Sequence, residues 1–153
     1  NQLAWKLRQD SRVINMEKQN IRTVTAEQIG ELVDFISIDV AFISLDKVLP
    51  VATNLLKDTG SLVALIKPQF EAGKENVGKG GIVRDSEIHK EVLHRILHVA
   101  YDCGLYTHGL TFSPIKGMEG NIEFLGYFKK YEEGALTIDD TLIDTVVAEA
   151  HSL

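Results

Sequence analysis

The sequence is poor in cysteine and proline, and it contains no long apolar run. Its one cysteine, Cys103, cannot form an internal disulfide, which favours a structural thiol in a reducing compartment. No stretch approaches the ~20 apolar residues that cross a bilayer, so we predict no membrane span. No signal peptide is visible. We therefore expect a cytoplasmic protein.

An excess of basic residues is also missing. Lysine and arginine total 16 against 22 aspartates and glutamates, which gives a net charge of −6. This balance argues against strong nucleic-acid binding by the chain on its own, although another domain could supply RNA affinity. A length of 153 residues, with 44% hydrophobic and 25% charged residues, is typical of one globular domain with a real core.

Apolar strand patterns alternate with helical patterns along the chain. Residues 61–67 form an almost continuous apolar run, which is typical of a strand covered on both faces. Strands alternating with helices predict an α/β fold with a mainly parallel sheet. Two strands near the C-terminus, joined by a short loop, predict an antiparallel edge. The predicted strands are 12–16, 35–39, 61–67, 105–115 and 122–129; the predicted helices are 1–9, 45–56, one capped by Ser86 and ended by Gly104, and one opened by Thr137 or Asp139; residues 58–60 are predicted to form a turn.

Three charged residues lie at the ends of predicted strands. Asp39 ends one apolar run, Lys67 ends the next, and Glu123 lies at the start of the last strand. In open α/β sheets, ligands and chemistry sit at the carboxyl ends of the strands. A lysine and two carboxylates that converge there would hold one another charged, as in many active sites. The alternative for each residue is a structural role, such as a terminal lysine whose charge reaches solvent.

The glycine-rich segment 73–79 has the spacing of a phosphate-binding loop, G-x-x-x-x-G-K. We reject a nucleotide-binding loop, because Gly80 replaces the hydroxyl residue that holds magnesium and Gly80-Gly81 cannot open the required helix. Lys74, Lys79 and Arg84 are instead candidates for contacts with RNA phosphates. The alternative is a solvated loop that binds nothing.

Two histidines lie four residues apart on a predicted helix. The spacing of His94 and His98 is compatible with zinc binding. No cysteine pair or strong carboxylate motif accompanies them, so we interpret them as surface residues and predict no metal site.

Four stretches of the sequence resemble one known family. Residues 1–8, 38–45, 65–73 and 113–125 are similar to the hemolysin-A, or TlyA-type, family of RNA 2'-O-ribose methyltransferases, which are related to the FtsJ/RrmJ-type fold. The resemblance covers essentially the whole chain, and it implies a Rossmann-like methyltransferase sheet. At Ala41 the family usually has serine, a difference for which we expect no mechanistic consequence.

The resemblance implies a cofactor, a reaction and roles for particular residues. Such enzymes use a Lys-Asp-Lys-Glu tetrad, and Asp39, Lys67 and Glu123 match its last three members. Glu17 and Asn20, together with Asp39, match the region that contacts the cofactor, S-adenosyl-L-methionine. The implied reaction is 2'-O-methylation of ribose, with cytidine in ribosomal RNA as the implied target. The implied partner is ribosomal RNA or a ribosomal subunit, and whether the protein forms an oligomer stays open.

Several parts of the family pattern have no counterpart in the sequence. These are the first catalytic lysine, the glycine-rich cofactor loop, the first two strands and an upstream S4-type RNA-binding domain. We therefore expect residues 1–153 to form a partial methyltransferase domain that binds cofactor poorly alone, with the strand at 12–16 detached from the sheet. Two other classes stay open: a non-catalytic RNA-binding module, and a membrane-active hemolysin, for which the chain shows no strongly basic amphipathic helix.

Overall fold

The computed structural model describes residues 13–15, 32–78, 80–117 and 120–152 of the chain. Within these ranges the chain alternates strands and helices, as the apolar patterns predicted. The strands are β1 (Val13–Asn15), β2 (Val33–Ile38), β3 (Leu56–Ile66), β4 (Tyr106–Phe112) and β5 (Phe124–Lys129). The helices are α1 (Leu45–Leu55), α2 (Pro68–Glu71), α3 (Ser86–Asp102) and α4 (Asp140–His151), with one short 3-10 turn at Lys74–Asn76.

The five strands form one sheet in the order β1-β2-β3-β5-β4. β2 runs parallel to both β1 and β3, whereas β5 runs antiparallel to both β3 and β4. The α/β fold and its antiparallel end are therefore confirmed. The reversed strand is β5, which lies inside the sheet, while β4 forms the edge.

β1 is joined to the sheet, and the expectation that it would be detached is wrong. Its residues pair in parallel with β2, with Val13 opposite Phe35 and Asn15 opposite Ser37. The physical reason is that the free edge of β2 presents unpaired backbone N–H and C=O groups, which another strand can satisfy.

One hydrophobic core joins a face of the sheet to the helices. In β3 the side chains of Leu62, Ala64 and Ile66 are fully buried, whereas Val63 and Leu65 between them are only half-buried. The prediction that this strand is covered on both faces is therefore wrong, because the second face lines an open cleft. The helices contribute buried apolar stripes to the same core, for example Val92, Leu93, Ile96 and Leu97 of α3.

Residues 58–60 belong to β3, so the predicted turn is wrong. The pairing with β2 jumps from Val33 opposite Leu56 to Phe35 opposite Ser61, which marks a bulge in β3. A Cβ atom at Gly60 would lie 2.9 Å from the backbone oxygen of Asp34. The glycine is therefore needed for close approach of two backbones in the bulge and not for a turn.

The two long C-terminal helices begin at aspartate caps. Asp139 accepts a hydrogen bond from the backbone N–H of Leu142, which confirms one of the two predicted starts of α4. Asp85, and not Ser86 as predicted, caps α3 by accepting from the N–H of Glu87. Both residues are good caps, and the carboxylate also interacts favourably with the helix dipole. α1 runs through Pro50 as one helix.

Candidate active site

The sheet brings three predicted site residues, Asp39, Lys67 and Glu123, to one edge. Asp39 follows the last residue of β2, and Lys67 follows the last residue of β3. Glu123 precedes the first residue of β5, and it reaches the same edge because β5 is reversed, with Phe124 opposite Ile66. All three line one cleft of about 430 Å³.

Asp39 and Lys67 form a close ion pair. The Nζ atom of Lys67 lies 2.6 Å from Oδ1 of Asp39. The lysine side chain is 14% exposed, and the aspartate side chain is 24% exposed. Partial burial reduces the screening by water, so each charge stabilises the other more than at the open surface. The pair fixes the ammonium group at the cleft, and Oδ2 of Asp39 can still accept from a ligand.

Glu123 is buried beside this pair, with only 5% of its surface exposed. Its Oε2 atom accepts a hydrogen bond of 2.9 Å from Nε2 of Gln69. The backbone of Gly117 packs directly against the carboxylate: a Cβ there would lie 1.9 Å from Oε2. Glu123 is therefore held between an amide donor and a position where only glycine fits.

The loop between β4 and β5 covers one side of the cleft. Ser113 donates its backbone N–H to the carbonyl of Glu123 at 2.8 Å, so the loop is anchored beside the site. Ile115 and Lys116 also line the cleft, and Ile115 is highly exposed. Lys116 was not among the predicted site residues, although its place between the end of β4 and the start of β5 was a usable signal.

An exposed aromatic ring, which was not among the predicted site residues, lies next to the cleft. Phe42 is 81% exposed and has a left-handed backbone, with φ of 66°. Its ring centroid lies 4.8 Å from that of Phe70, whose ring in turn has Lys67 Nζ at 6.0 Å. A non-glycine residue at positive φ is strained, and such strain is common at functional sites.

A buried carboxylate, Glu71, joins the two loops that carry Asp39 and Lys67. It accepts hydrogen bonds from the Ser44 hydroxyl, from the backbone N–H of Leu45 at 2.9 Å and from Arg95 at 2.9 Å. Its side chain is only 2% exposed. Glu71 thereby connects the start of α1 to the end of α2. No local sequence pattern predicted this contact between distant segments.

The predicted RNA-contacting residues are distributed over the glycine-rich loop. Lys74 lies in the 3-10 turn and lines a second cleft together with Phe42 and Phe70. Arg84 is exposed and packs near Gly78. Lys79 lies outside the described residues, as do Glu17 and Asn20, the predicted cofactor contacts. The structure therefore places Lys74 beside the aromatic pair, and RNA contact by Lys74, Lys79 and Arg84 stays a prediction.

Asn121 clamps the glycine-rich loop to the segment that carries Glu123. Its side chain accepts from the N–H of Val83 at 2.9 Å and donates to the carbonyl of Gly81 at 2.9 Å. Below the loop, fully buried His89 has Nε2 3.0 Å from the Val83 carbonyl and Nδ1 2.8 Å from Nε2 of His151. A carbonyl only accepts, so Nε2 of His89 carries the proton and Nδ1 accepts from His151.

This buried histidine makes stability depend on pH. Burial lowers the pKa of His89 below its ordinary 6.5, against a smaller raising effect of the Val83 hydrogen bond. The unfolded chain therefore binds the extra proton at a higher pH than the folded chain does, so stability is lost as pH falls through and below about 6.5. We expect the free energy of unfolding to fall there by up to about 1.4 kcal/mol per pH unit from this group.

Urea unfolding between pH 5 and pH 8 measures this dependence. The variant His89→Gln should show a flatter profile below pH 6.5, because it has no imidazole to protonate. The matched control His98→Gln alters an exposed histidine on the same helix and should keep the steep profile. An identical profile in His89→Gln and the unaltered protein would show that another group causes the loss.

His94, His98 and Cys103 have different surroundings in the structure. His94 bonds to Asp140 at 3.0 Å, and His98 is exposed. Within the part of the chain that the structure describes, no three histidine, cysteine or acidic residues group to hold a metal ion. Burial raises the pKa of the Cys103 thiol, which fits the predicted structural role. Among the same residues, no helix is long and apolar enough to cross a bilayer.

Comparison with known sequences identifies the family of proteins to which the chain belongs. The sequence model of the FtsJ-like methyltransferases matches residues 1–130, and the chain belongs to this family. The resemblance inferred from the motifs is therefore confirmed.

Three individual proteins show how similar the chain is to members of this family and to a solved structure. "Putative rRNA methyltransferase YqxC" of Bacillus subtilis is 49% identical, over 99% of this chain and 55% of its own length. The 16S/23S rRNA (cytidine-2'-O)-methyltransferase TlyA of Mycobacterium tuberculosis is 38% identical, over 89% of this chain and 51% of its own. The solved structure named "Putative hemolysin from Streptococcus thermophilus" matches with a TM-score of 0.83 at 49% identity, over 99% of this chain and 55% of that one. The chain thus spans about half the length of these relatives.

Proposed function

We propose that this chain is the catalytic part of an S-adenosylmethionine-dependent enzyme that methylates ribose 2'-hydroxyl groups in ribosomal RNA. The observation that carries the proposal is the Asp39–Lys67 ion pair beside buried Glu123 in one cleft, in a member of the FtsJ-like family. The TlyA relative acts on cytidine, and cytidine is therefore the proposed target. An enzyme with this substrate would work in the cytoplasm.

The chemistry of the reaction fits these side chains. A ribose hydroxyl is a poor nucleophile, and its proton must pass to a carboxylate of the cleft or to water as its oxygen attacks a methyl group. An ammonium group held beside that oxygen stabilises the developing alkoxide. Asp39, 2.6 Å from Lys67, orients the ammonium, and Glu123 adds a second carboxylate in the same cleft. The cofactor, when bound, supplies the methyl group as an electrophile on a sulfonium.

Asp39, Glu17 and Asn20 are the residues proposed to hold the cofactor. These residues fit the cofactor in part. S-adenosylmethionine carries a cationic sulfonium and an ammonium group, which carboxylates attract, and Asp39 faces the cleft. The chain spans 55% and 51% of the length of two relatives. We therefore propose that the other contacts with the cofactor, including the glycine-rich cofactor loop, and the first catalytic lysine belong to upstream sequence. We propose an S4-type RNA-binding domain there as well.

The proposed RNA face combines positive charge with the exposed aromatic ring. Lys74, Lys79 and Arg84 would contact phosphates, and Phe42 offers an open face on which an unstacked base can lie. Recognition of single-stranded RNA depends on such stacking together with backbone charge. With a net charge of −6, this chain alone is expected to bind RNA weakly.

Isothermal titration calorimetry with S-adenosylmethionine tests the proposal. We expect the present chain to bind at least about tenfold more weakly than a protein extended upstream to the relatives' length, because the extension is proposed to add the glycine-rich cofactor loop. The extended protein with Asp39→Asn is the control for binding at this cleft and should lose affinity. No binding by the extended protein would favour the non-catalytic RNA-binding module. Leakage of liposomes caused by pure protein would favour the hemolysin.

A further inference from the structure

Gln69 lies between Glu123 and the exposed aromatic ring, and the reaction described above gives it no part. It is the second residue of α2, two positions after Lys67. Its Nε2 donates to Glu123 at 2.9 Å, and its side chain also borders the cleft lined by Phe42, Phe70 and Lys74. One short turn therefore carries both the lysine of the ion pair and the donor to the second carboxylate.

The orientation of the Gln69 amide is determined by Glu123. A carboxylate only accepts hydrogen bonds, so the amide must turn its NH₂ group toward it. The other amide atom, Oε1, is then buried without a hydrogen-bond partner among the described residues. Buried amide oxygens are normally paired, so the contact with Glu123 is kept at the expense of Oε1.

Among the described residues, Gln69 is the side chain that donates a hydrogen bond to the Glu123 carboxylate. Glu123 is 5% exposed, and the lysines and arginines that form ion pairs among the described residues are paired with other carboxylates. On its other side the Gly117 backbone offers packing, with room for no Cβ atom. A buried carboxylate is costly unless it is hydrogen-bonded, so the amide of Gln69 controls where the charge lies.

We propose that Gln69 is a positioning residue, which fixes the carboxylate of Glu123 in the cleft and acts on the reaction through Glu123 alone. The inference rests on the proposed methyl transfer. A residue that acts only through another has no effect once that other residue is removed. Removal of Glu123 should therefore make the identity of residue 69 irrelevant to the rate.

A double-mutant cycle in the full-length protein tests this dependence. Gln69→Met keeps the length of the side chain but removes the donor, and we expect kcat to fall about tenfold while KM for RNA changes less than twofold. In a Glu123→Ala background, Gln69→Met should change kcat by less than twofold. An equal loss in both backgrounds would overturn the inference, because Gln69 would then act without Glu123.

A second measurement does not require methyl transfer. The side-chain amide signal of Gln69 in a ¹⁵N NMR spectrum should move when Glu123→Ala removes its acceptor. The amide of Asn54, exposed near the far end of α1, is the matched control and should not move. An unmoved Gln69 signal overturns the inference whatever the activity. If the unaltered protein transfers no methyl group, the proposed function is refuted. A Gln69 signal that moves would in that case still support the contact with Glu123.

Discussion

Lys67→Ala should reduce methyl transfer by the full-length protein by about 10³-fold, the size of effect seen when a charge-stabilising group is removed from an active site. Lys67 is the ammonium group that the Asp39 pair fixes at the cleft. Removing it leaves the developing alkoxide without its stabilising charge. The loss should appear in kcat, measured with saturating RNA and cofactor, more than in KM.

Stability should change little in the same variant. Asp39 would lose its partner but keep access to water, since a quarter of its side chain is exposed in the pair. We expect the free energy of unfolding to fall by about 1 kcal/mol, the typical contribution of one hydrogen bond. A cooperative urea transition near that of the unaltered protein would show that the activity loss has a local cause.

Lys57→Ala is the matched control for this experiment. Lys57 also belongs to β3 and pairs with a β2-side aspartate, Asp34, at 3.2 Å, but both side chains are about half exposed. Surface ion pairs of this kind contribute about 0–1 kcal/mol. Activity should stay within twofold. If Lys67→Ala and Lys57→Ala left the same activity, Lys67 would be structural and the assignment of the site would fail.

Gly117→Ala should give the second large effect. The added methyl carbon would lie 1.9 Å from Oε2 and 2.2 Å from Cδ of Glu123, so the carboxylate must leave its place. Displacement also breaks the hydrogen bond from Gln69. We expect kcat to fall at least about tenfold, and overpacking to reduce the free energy of unfolding by about 1–3 kcal/mol.

Gly109→Ala provides the comparison for the glycine substitution. Gly109 lies in β4, where the new carbon would contact the Tyr127 Cβ atom at 3.3 Å, a distance that a small shift relieves. Parallel measurements of kcat and of thermal unfolding separate the two sites. Unchanged kcat in Gly117→Ala would mean that Glu123 can move without consequence, which contradicts a role for its present position.

The sequence was sufficient to predict the edge of the sheet and the residues that meet there. Asp39 and Lys67 interrupt apolar runs at their ends, and the rule for α/β sheets converts that position into proximity. Glu123 needed a further step, because it lies at the start of a strand. Only the reversal of β5, predicted as an antiparallel end, brings it to the same edge. Whether these residues catalyse methyl transfer stays a prediction.

The supporting residues were not predictable in the same way. Gln69 and Glu123 are 54 positions apart, and no spacing links an amide to a carboxylate at such a distance. Phe42 follows two apolar residues and resembles a core position, but its left-handed backbone directs the chain differently. The bulge at Gly60 likewise depends on the approach of β2, which no local turn signal contains.

Because β5 is reversed, the charged pair and one neighbouring wall of the cleft belong to different segments of the chain. The paired charges are fixed to the ends of β2 and β3, whereas Ser113, Ile115 and Lys116, in the connection from β4 to β5, line a neighbouring wall of the cleft. A substitution at Ile115 or Lys116 changes this wall without shifting the Ile38–Ala64 register beneath the charged pair. We therefore expect Ile115 and Lys116 to affect which ligands enter the cleft more than they affect the geometry of the charged pair.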